Sequence, residues 1–335
     1  MIIGHSEMIT VFTSILLNKG FELEKAQLIA NTFANSTFDG ILSHGVNRFS
    51  LFIEYVDSGV VDPHAAPQLA FDQGVFERYD GNKGPGILNA HFCIDRAIDL
   101  SRSFGMSCVG LYNTNHWMRG GTYGWKAAEA GCISICFTNT KPNMPPWGGI
   151  DTRIGNNPIV VSIPKSDSQH LVLDMSMSMF SYGKLNEYKI NADQLPFHGG
   201  YNAEGELTTD PAAILKSERV LPAAFWKGSG LSIMLDLVAG ILSKGNTTSE
   251  IGKLDTESAL SQVFICFDVS KLSSTLWADE IIENTMDFMK SSRLAENESI
   301  FYPGERTLKN RIKNLENGVE VNDNIWKEII KLYEA

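Results

Sequence analysis

The sequence predicts an α/β protein: a sheet covered by helices, beside a second, all-helical domain made from both chain ends. Three observations lead there. The first seventy residues carry apolar positions at helical spacing. From about residue 71, short apolar runs alternate with helical ones, the signature of a sheet between helices. After about residue 277 the pattern is helical again. A chain of 335 residues suffices for about two domains. We place them at 1–70 with 293–335, carrying the candidate catalytic histidine, and at 71–292.

The elements follow in order. Ser6 is a fitting N-cap for a first helix whose stripe is Ile9, Phe12, Ile15 and Leu16, and Gly20 ends it. A second helix spans about 22–38, through Ala26, Ile29, Ala30 and Phe33, and a third begins at Ser43. Candidate strands are 107–112, 132–138, 159–163, 170–173 and 262–269; the helices between them are 87–104, 122–130, 179–190 and 228–243. The Gly- and Pro-punctuated stretch 191–211 reads as an extended surface loop. Helices at 305–315 and 322–333 close the chain.

Composition narrows the function. Lys and Arg total 28 against 39 Asp and Glu, a net charge of −11, which opposes nucleic acid and anionic membranes as partners. An anionic substrate then needs a local basic cluster. The five cysteines lack the paired spacing of structural zinc sites and read as reduced core residues. The N-terminus shows no basic start followed by an apolar signal core, and the most apolar helix candidate is interrupted by Asp236, so the expected compartment is the cytoplasm. Seven dispersed histidines without HExxH give no metal site, and the absence of GxSxG leaves a hydrolase without support.

Three segments can carry chemistry. In SHGVNRF, Ser43 suits a helix N-cap, and His44 and Arg48, four residues apart, would share one helix face. An imidazole near a helix N-terminus and a guanidinium has its cationic form disfavoured. A carboxylate held by Arg48 would reverse that balance and let His44 deliver a proton to a neighbouring carbonyl. A capped helix with a solvated His and Arg has the same spacing. In NTNHWMRGG, His116 and Arg119 follow a strand and precede a helix, where ligands of open α/β sheets gather, and Gly120 and Gly121 permit close approach; a plain turn reads the same way. In HLVLDMSMSMFSYG a buried strand runs into Asp174, which can orient an imidazole, bind a ribose hydroxyl or cap a helix. Met175, Met177 and Met179 suit packing. The glycine-rich DGNKGPG, residues 80–86, lacks the Lys-Ser/Thr ending of a P-loop and reads as a turn, and GxGxxG is absent.

Taken in order, SHGVNRF, NHWMRGGTYGW, MPPWGG, IGNNP, LDMSMSMFSYG, LPAAFWKGSGLSIMLDL and YPGE resemble the type-2 malate/L-lactate dehydrogenase (L-sulfolactate dehydrogenase-like) family, collinearly over nearly the whole chain. The resemblance implies a homodimer, a mixed sheet of about seven strands between helices, and an NAD site unrelated to the Rossmann fold. It makes His44 the proton donor and Arg48 the binder of the substrate carboxylate, with Ser43 and His116 on the substrate side. It assigns cofactor contacts to His170, Leu171, Val172, Leu173, Asp174, Met175 and Ser176, to Trp226 and Lys227, and to Gly304, Glu305 and Arg306. Asp174 would orient His44 or a cofactor hydroxyl. NHWMRGG and DMSMSMFSYG are most similar to the branch that reduces 2,3-diketo-L-gulonate to 3-keto-L-gulonate with NADH, NADPH being the other candidate. A malate/L-lactate-type 2-hydroxy acid dehydrogenase, and a non-catalytic dinucleotide- or sugar-acid-binding protein, are the alternatives.

Overall fold

The computed structural model describes residues 1–296 and 298–334. Helix α1 (His5–Asn18) buries Met8, Val11, Phe12, Ile15 and Leu16. Its N-cap is Gly4, with no side-chain cap; Ser6 lies inside the first turn, where its carbonyl accepts from Thr10 Oγ1, which corrects the expected Ser6 cap. α2 (Leu23–Phe38) and α3 (Val46–Asp57) complete the N-terminal layer. Phe12 stacks on Phe49 at 3.9 Å and meets Phe33 edge-on, and Trp326 and Ile329 of the last helix enter the same core. Both chain ends thus share one apolar cluster.

Seven strands form a single mixed sheet: β1 (Gln68–Gln73), β2 (Phe76–Asp80), β3 (Met106–Thr114), β4 (Cys132–Thr138), β5 (Ile159–Ile163), β6 (Leu171–Met175) and β7 (Leu260–Asp268). Their order is β1-β2-β3-β7-β4-β5-β6, with β2 and β3 parallel and every other pair antiparallel. The β1–β2 hairpin was not among the expected strands. Every residue of β1 is exposed, so no apolar alternation marks it; the turn is made by Gly74 at φ +66°, whose N–H donates to Asp72 Oδ1.

Helices α4 (Gly86–Phe104) and α5 (Gly121–Glu129) cover one face of the sheet, packing Ile94, Ala97 and Trp125 on Val109, Leu111 and Phe264. α7 (Trp226–Ser243) covers the other through Leu235 and Ala239, against Phe137 and Val263. Between them, α6 (Tyr182–Ile190) starts three residues later than expected, capped by Ser181, which accepts from Lys184 N. The stretch 191–211 is not an open loop: Gly200–Tyr201 pairs with Leu207–Thr208, and Leu195 packs with Leu185, Ile214 and Val220 in a core of its own. α8 (Thr275–Lys290), α9 (Glu305–Asn317) and α10 (Asp323–Glu334) end the chain. Among the described residues no helix is long and apolar enough to cross a membrane.

Candidate active site

The SHG segment is not the start of a helix. Leu42–His44 form a single 3₁₀ turn, Gly45 breaks it, and α3 begins at Val46. The reason lies in Thr37 of α2: a Cβ on Gly45 would stand 2.2 Å from Thr37 Oγ1 and 2.7 Å from Thr37 N, and Thr37 Oγ1 accepts from Val46 N at 2.8 Å. Glycine lets the chain press onto α2 and caps α3 from a neighbouring helix. Ser43 therefore does not cap α3. Its Oγ lies 3.1 Å from His44 Nδ1, which orients the imidazole and leaves Nε2 free for a ligand. His44 and Arg48 share a site although they do not share a helix face.

The second wall is the β3–α5 loop. Asn113 and Met118 both sit at positive φ, +52° and +64°, a costly backbone for these residue types and one found at functional turns. Asn115 ties the loop down by donating to the carbonyls of Val60, Lys83 and Gly84. Gly86 admits α4 against it, since a Cβ there would be 2.3 Å from His116 O. So held, His116 lies ring to ring with His44, centroids 5.7 Å apart and planes 21° from parallel. The N–H of Met118 donates to His116 Nδ1 at 2.9 Å, so the neutral ring carries its proton on Nε2.

Asp174, next to last in the edge strand β6, joins this loop to the sheet: its Oδ2 accepts from Gly121 N at 2.7 Å, at the first turn of α5. The expected choice between helix cap and orienter resolves into a carboxylate of one strand serving the N-terminus of a neighbouring helix. The residue as a whole is exposed along the strand edge, but burial of its carboxylate raises the pKa, opposed by Arg119 and the Gly121 amide.

Electrostatics set the two imidazoles. Burial first, then His116, Arg48 and Arg119, lowers the His44 pKa to about 3, and burial followed by Arg48 takes His116 to about 3. The lowering was expected from a helix N-terminus and Arg48; burial is the larger cause. Both rings are uncharged at neutral pH, in a site whose fixed charge is positive.

The residues expected to hold a cofactor lie in one run. Val172 N donates to Pro303 O at 2.9 Å, which lays the 303–306 turn along the open side of β6. Gly304, at φ +98°, sits tightly on the strand: a Cβ would be 3.1 Å from Val172 N and 3.2 Å from His170 O, in a backbone conformation that favours glycine. Beyond the strand, Ala223 N donates to Met177 O and leads into Trp226 and Lys227, both exposed. Leu173 is exposed, Leu171, Met175 and Ser176 are half-buried, and His170 is buried, its Nδ1 accepting from Lys165 N. Glu305 binds Lys309 and Lys290, and Arg306 stacks on Phe301 at 4.4 Å. The turn covers the strand edge at Val172, and Leu173 and Trp226 stay exposed to either side of it, apolar surface against which a dinucleotide could lie. A cavity of about 320 Å³ bounded by His170, Lys165 and Asp279 adjoins the start of this run and does not include His44.

Two contacts have no signature in the sequence. Gly183 packs on Ser43, a Cβ there standing 2.9 Å from Ser43 Cβ. Asp39 and Arg311 form a buried ion cluster with Arg119. Of the three charged residues only Arg119 stood in a motif; nothing in the local sequence pairs Asp39 with a residue 272 positions away.

A family model described as malate/L-lactate dehydrogenase matches residues 3–330. A 2,3-diketo-L-gulonate reductase of Citrobacter koseri is 44% identical over 320 residues, 95% of this chain and 96% of that protein. One of Klebsiella pneumoniae is 41% identical over 331 residues, covering 98% and 99%. Among solved structures, the sulfolactate dehydrogenase of Methanocaldococcus jannaschii superposes with a TM-score of 0.89 at 25% identity, over 100% of this chain and 97% of that one.

Proposed function

The chain belongs to the malate/L-lactate dehydrogenase family, and we propose that within it the protein reduces 2,3-diketo-L-gulonate to 3-keto-L-gulonate. The observation that carries this reading is the uncharged His44, oriented by Ser43, in a pocket made positive by Arg48 and Arg119. Such a pocket suits a carboxylate with a carbonyl on the next carbon. The names of the relatives that are 41–44% identical over almost their whole length support the diketo sugar acid as that substrate.

Arg48 receives the substrate carboxylate, and its charge is thereby cancelled beside His44. Loss of that repulsion, together with the negative charge that gathers on the C2 oxygen, offsets the larger burial penalty and lets the imidazole hold a proton on Nε2, aimed at that oxygen. A reduced nicotinamide cofactor, held by residues 170–176, Trp226, Lys227 and Gly304–Arg306, supplies hydride to C2 when bound. His44 then gives its proton to the oxygen and is reprotonated from solvent. His116 Nε2–H is a second donor toward the same oxygen, and Asp174 keeps the loop bearing His116 in register.

NADH is the proposed cofactor: Arg306, which a 2′-phosphate would call on, is already stacked on Phe301, and the Glu305 carboxylate stands beside Gly304. We further propose a homodimer, supported by an exposed apolar stripe on α7 formed by Trp226, Met234, Leu237 and Ile241. A helical unit of 1–70 with 293–335 that brings the histidine to a cofactor-binding unit of 71–292 belongs to the same reading. So does a cytoplasmic location, supported by five cysteines that are all free.

The test is NADH oxidation followed at 340 nm (about that wavelength being where the reduced ring alone absorbs) with 2,3-diketo-L-gulonate, oxaloacetate and pyruvate. Turnover of the diketo acid alone supports the proposal. Preference for oxaloacetate or pyruvate would make the protein a 2-hydroxy acid dehydrogenase of the same family, and NADH binding without turnover would make it a binding protein.

A further inference from the structure

A buried guanidinium, a half-buried one and one buried carboxylate meet where the helical layer touches the sheet. Asp39, at the C-terminal end of α2, is 2% exposed, and Arg119, from the β3–α5 loop, is 5% exposed. Arg119 Nη1 donates to Asp39 Oδ2, while Arg311 of α9 grips the same carboxylate with both Nε and Nη2, at 2.6 and 2.8 Å. Two positive charges against one negative leave the cluster with an excess, and an uncompensated buried charge is costly unless something nearby answers it. Arg311 has a partial answer outside the site, with Trp125 under its guanidinium at 4.8 Å and Glu129 acting on it. Arg119 does not: its Nε is buried and has no hydrogen-bond partner. That atom lies 3.2 Å from the point where a Gly121 Cβ would be, and Asp174 Oδ2 lies 2.8 Å from the same point. The unpaired Nε of Arg119 and the Asp174 carboxylate thus flank the same glycine, close enough for the guanidinium to act on the carboxylate through space.

We infer that Arg119 is a positioning residue of the reduction: it carries the unbalanced positive charge of the Asp39 cluster to the side of the pocket shared by Asp174 and His44. There it acts without touching substrate. Asp174 is faced by Arg119 and the Gly121 amide; His44 is faced by His116 and Arg119 from the loop, by Arg48 from α3 and by Ser43 from its own turn. Arg119 is common to both sets. Asp39 meters how much of its charge is felt, and Arg311, by occupying Asp39, leaves Arg119 the less neutralised of the two.

This inference rests on the proposed reduction, and its experiment separates the two. In Arg119→Gln the Asp39–Arg311 pair remains neutral, so both limbs of the pH profile of kcat/KM should move to higher pH by about one unit, because loss of a positive charge raises the pKa of Asp174 and of His44 alike. Asp39→Asn removes the negative charge instead and should move both limbs to lower pH, and Arg119→Lys should restore the wild-type limbs. A merely structural ion pair would lower Tm in every variant and leave the limbs in place, which would overturn the inference. Where Arg119→Gln or Asp39→Asn fails to fold, Arg311→Gln, at a half-buried position, should shift the limbs upward by a smaller amount, and an unchanged profile there would equally overturn it. If the wild-type protein turns over none of the three acids, the reduction fails. The histidine titration read by NMR then decides the electrostatic claim, since the His44 pKa should still rise in Arg119→Gln.

Discussion

The two ends of the site are built by different means. Around His44 everything is side chain: Ser43 sets the ring, His116 lies against it, and Arg48 and Arg119 supply charge. Along β6 the construction is backbone, with Val172 bonded to Pro303, Gly304 at a left-handed φ, and side chains such as Leu173 and Trp226 turned outward. In the proposed reaction one end would prepare a proton and the other a shape. A chemical end should be sensitive to the identity of single atoms and a shaped end to volume and backbone freedom, and substitutions can separate the two.

The largest effect belongs to His44→Asn, which keeps a polar group near Ser43 and removes the titrating nitrogen. Turnover should fall by about 10²–10⁴-fold with the Kd for NADH, read by fluorescence, within a factor of about two, because no cofactor residue is touched. A parallel loss of NADH binding would mean that the two ends are one. Arg48→Gln comes next, costing about 2–5 kcal/mol in kcat/KM, mostly through KM, since the carboxylate is held in ground and transition states alike. At the other end, Gly304→Ala should cost about 1–3 kcal/mol in NADH affinity and leave the pH limbs of kcat unchanged. A changed pH profile in that variant would erase the distinction.

These residues were not equally legible in the sequence. The helical core and five of the seven strands follow from apolar runs and periodicity; β1 buries no face, and the buried face of β2 is Glu77 and Tyr79, so neither shows an apolar pattern. His44, Arg48 and His116 stood out as polar groups in motifs beside glycines. What the glycines do was hidden, for Gly45 answers to Thr37 on another helix and Gly304 to the backbone of β6, contacts that exist only once the chain is folded. The His44–Arg48 proximity was anticipated on a single helix face, and it arises instead across a 3₁₀ turn and a glycine. The Asp39–Arg311 contact has no local signature at all.

A third histidine sharpens the comparison, because it shares the electrostatics of His44 outside either end. His91 of α4 is buried, and burial first, then Lys126, lowers its pKa to about 3. Thr32 gives its own proton to Leu28 O, so its oxygen accepts from His91 Nε2–H at 3.1 Å, while Lys126 Nζ lies 3.4 Å from Nδ1. Both nitrogens are committed to the neutral ring. The unfolded chain takes up this proton near pH 6.5, whereas the folded chain resists until about pH 3. Stability linked to His91 is therefore complete above about pH 6.5 and declines as the pH falls from there toward 3, with a slope of up to about 1.4 kcal/mol per pH unit. His91→Gln can still donate to Thr32 and has nothing to titrate. Between pH 6.5 and 5 its melting temperature should fall less steeply than that of the wild type by an amount worth about 1–2 kcal/mol, while a carboxylate ligand, which relieves His44 and His116, should leave this difference unchanged. Equal slopes in the two proteins would mean that water or a side-chain movement gives His91 a route to protonation in the folded state, and that burial at this interface does less than it does around His44.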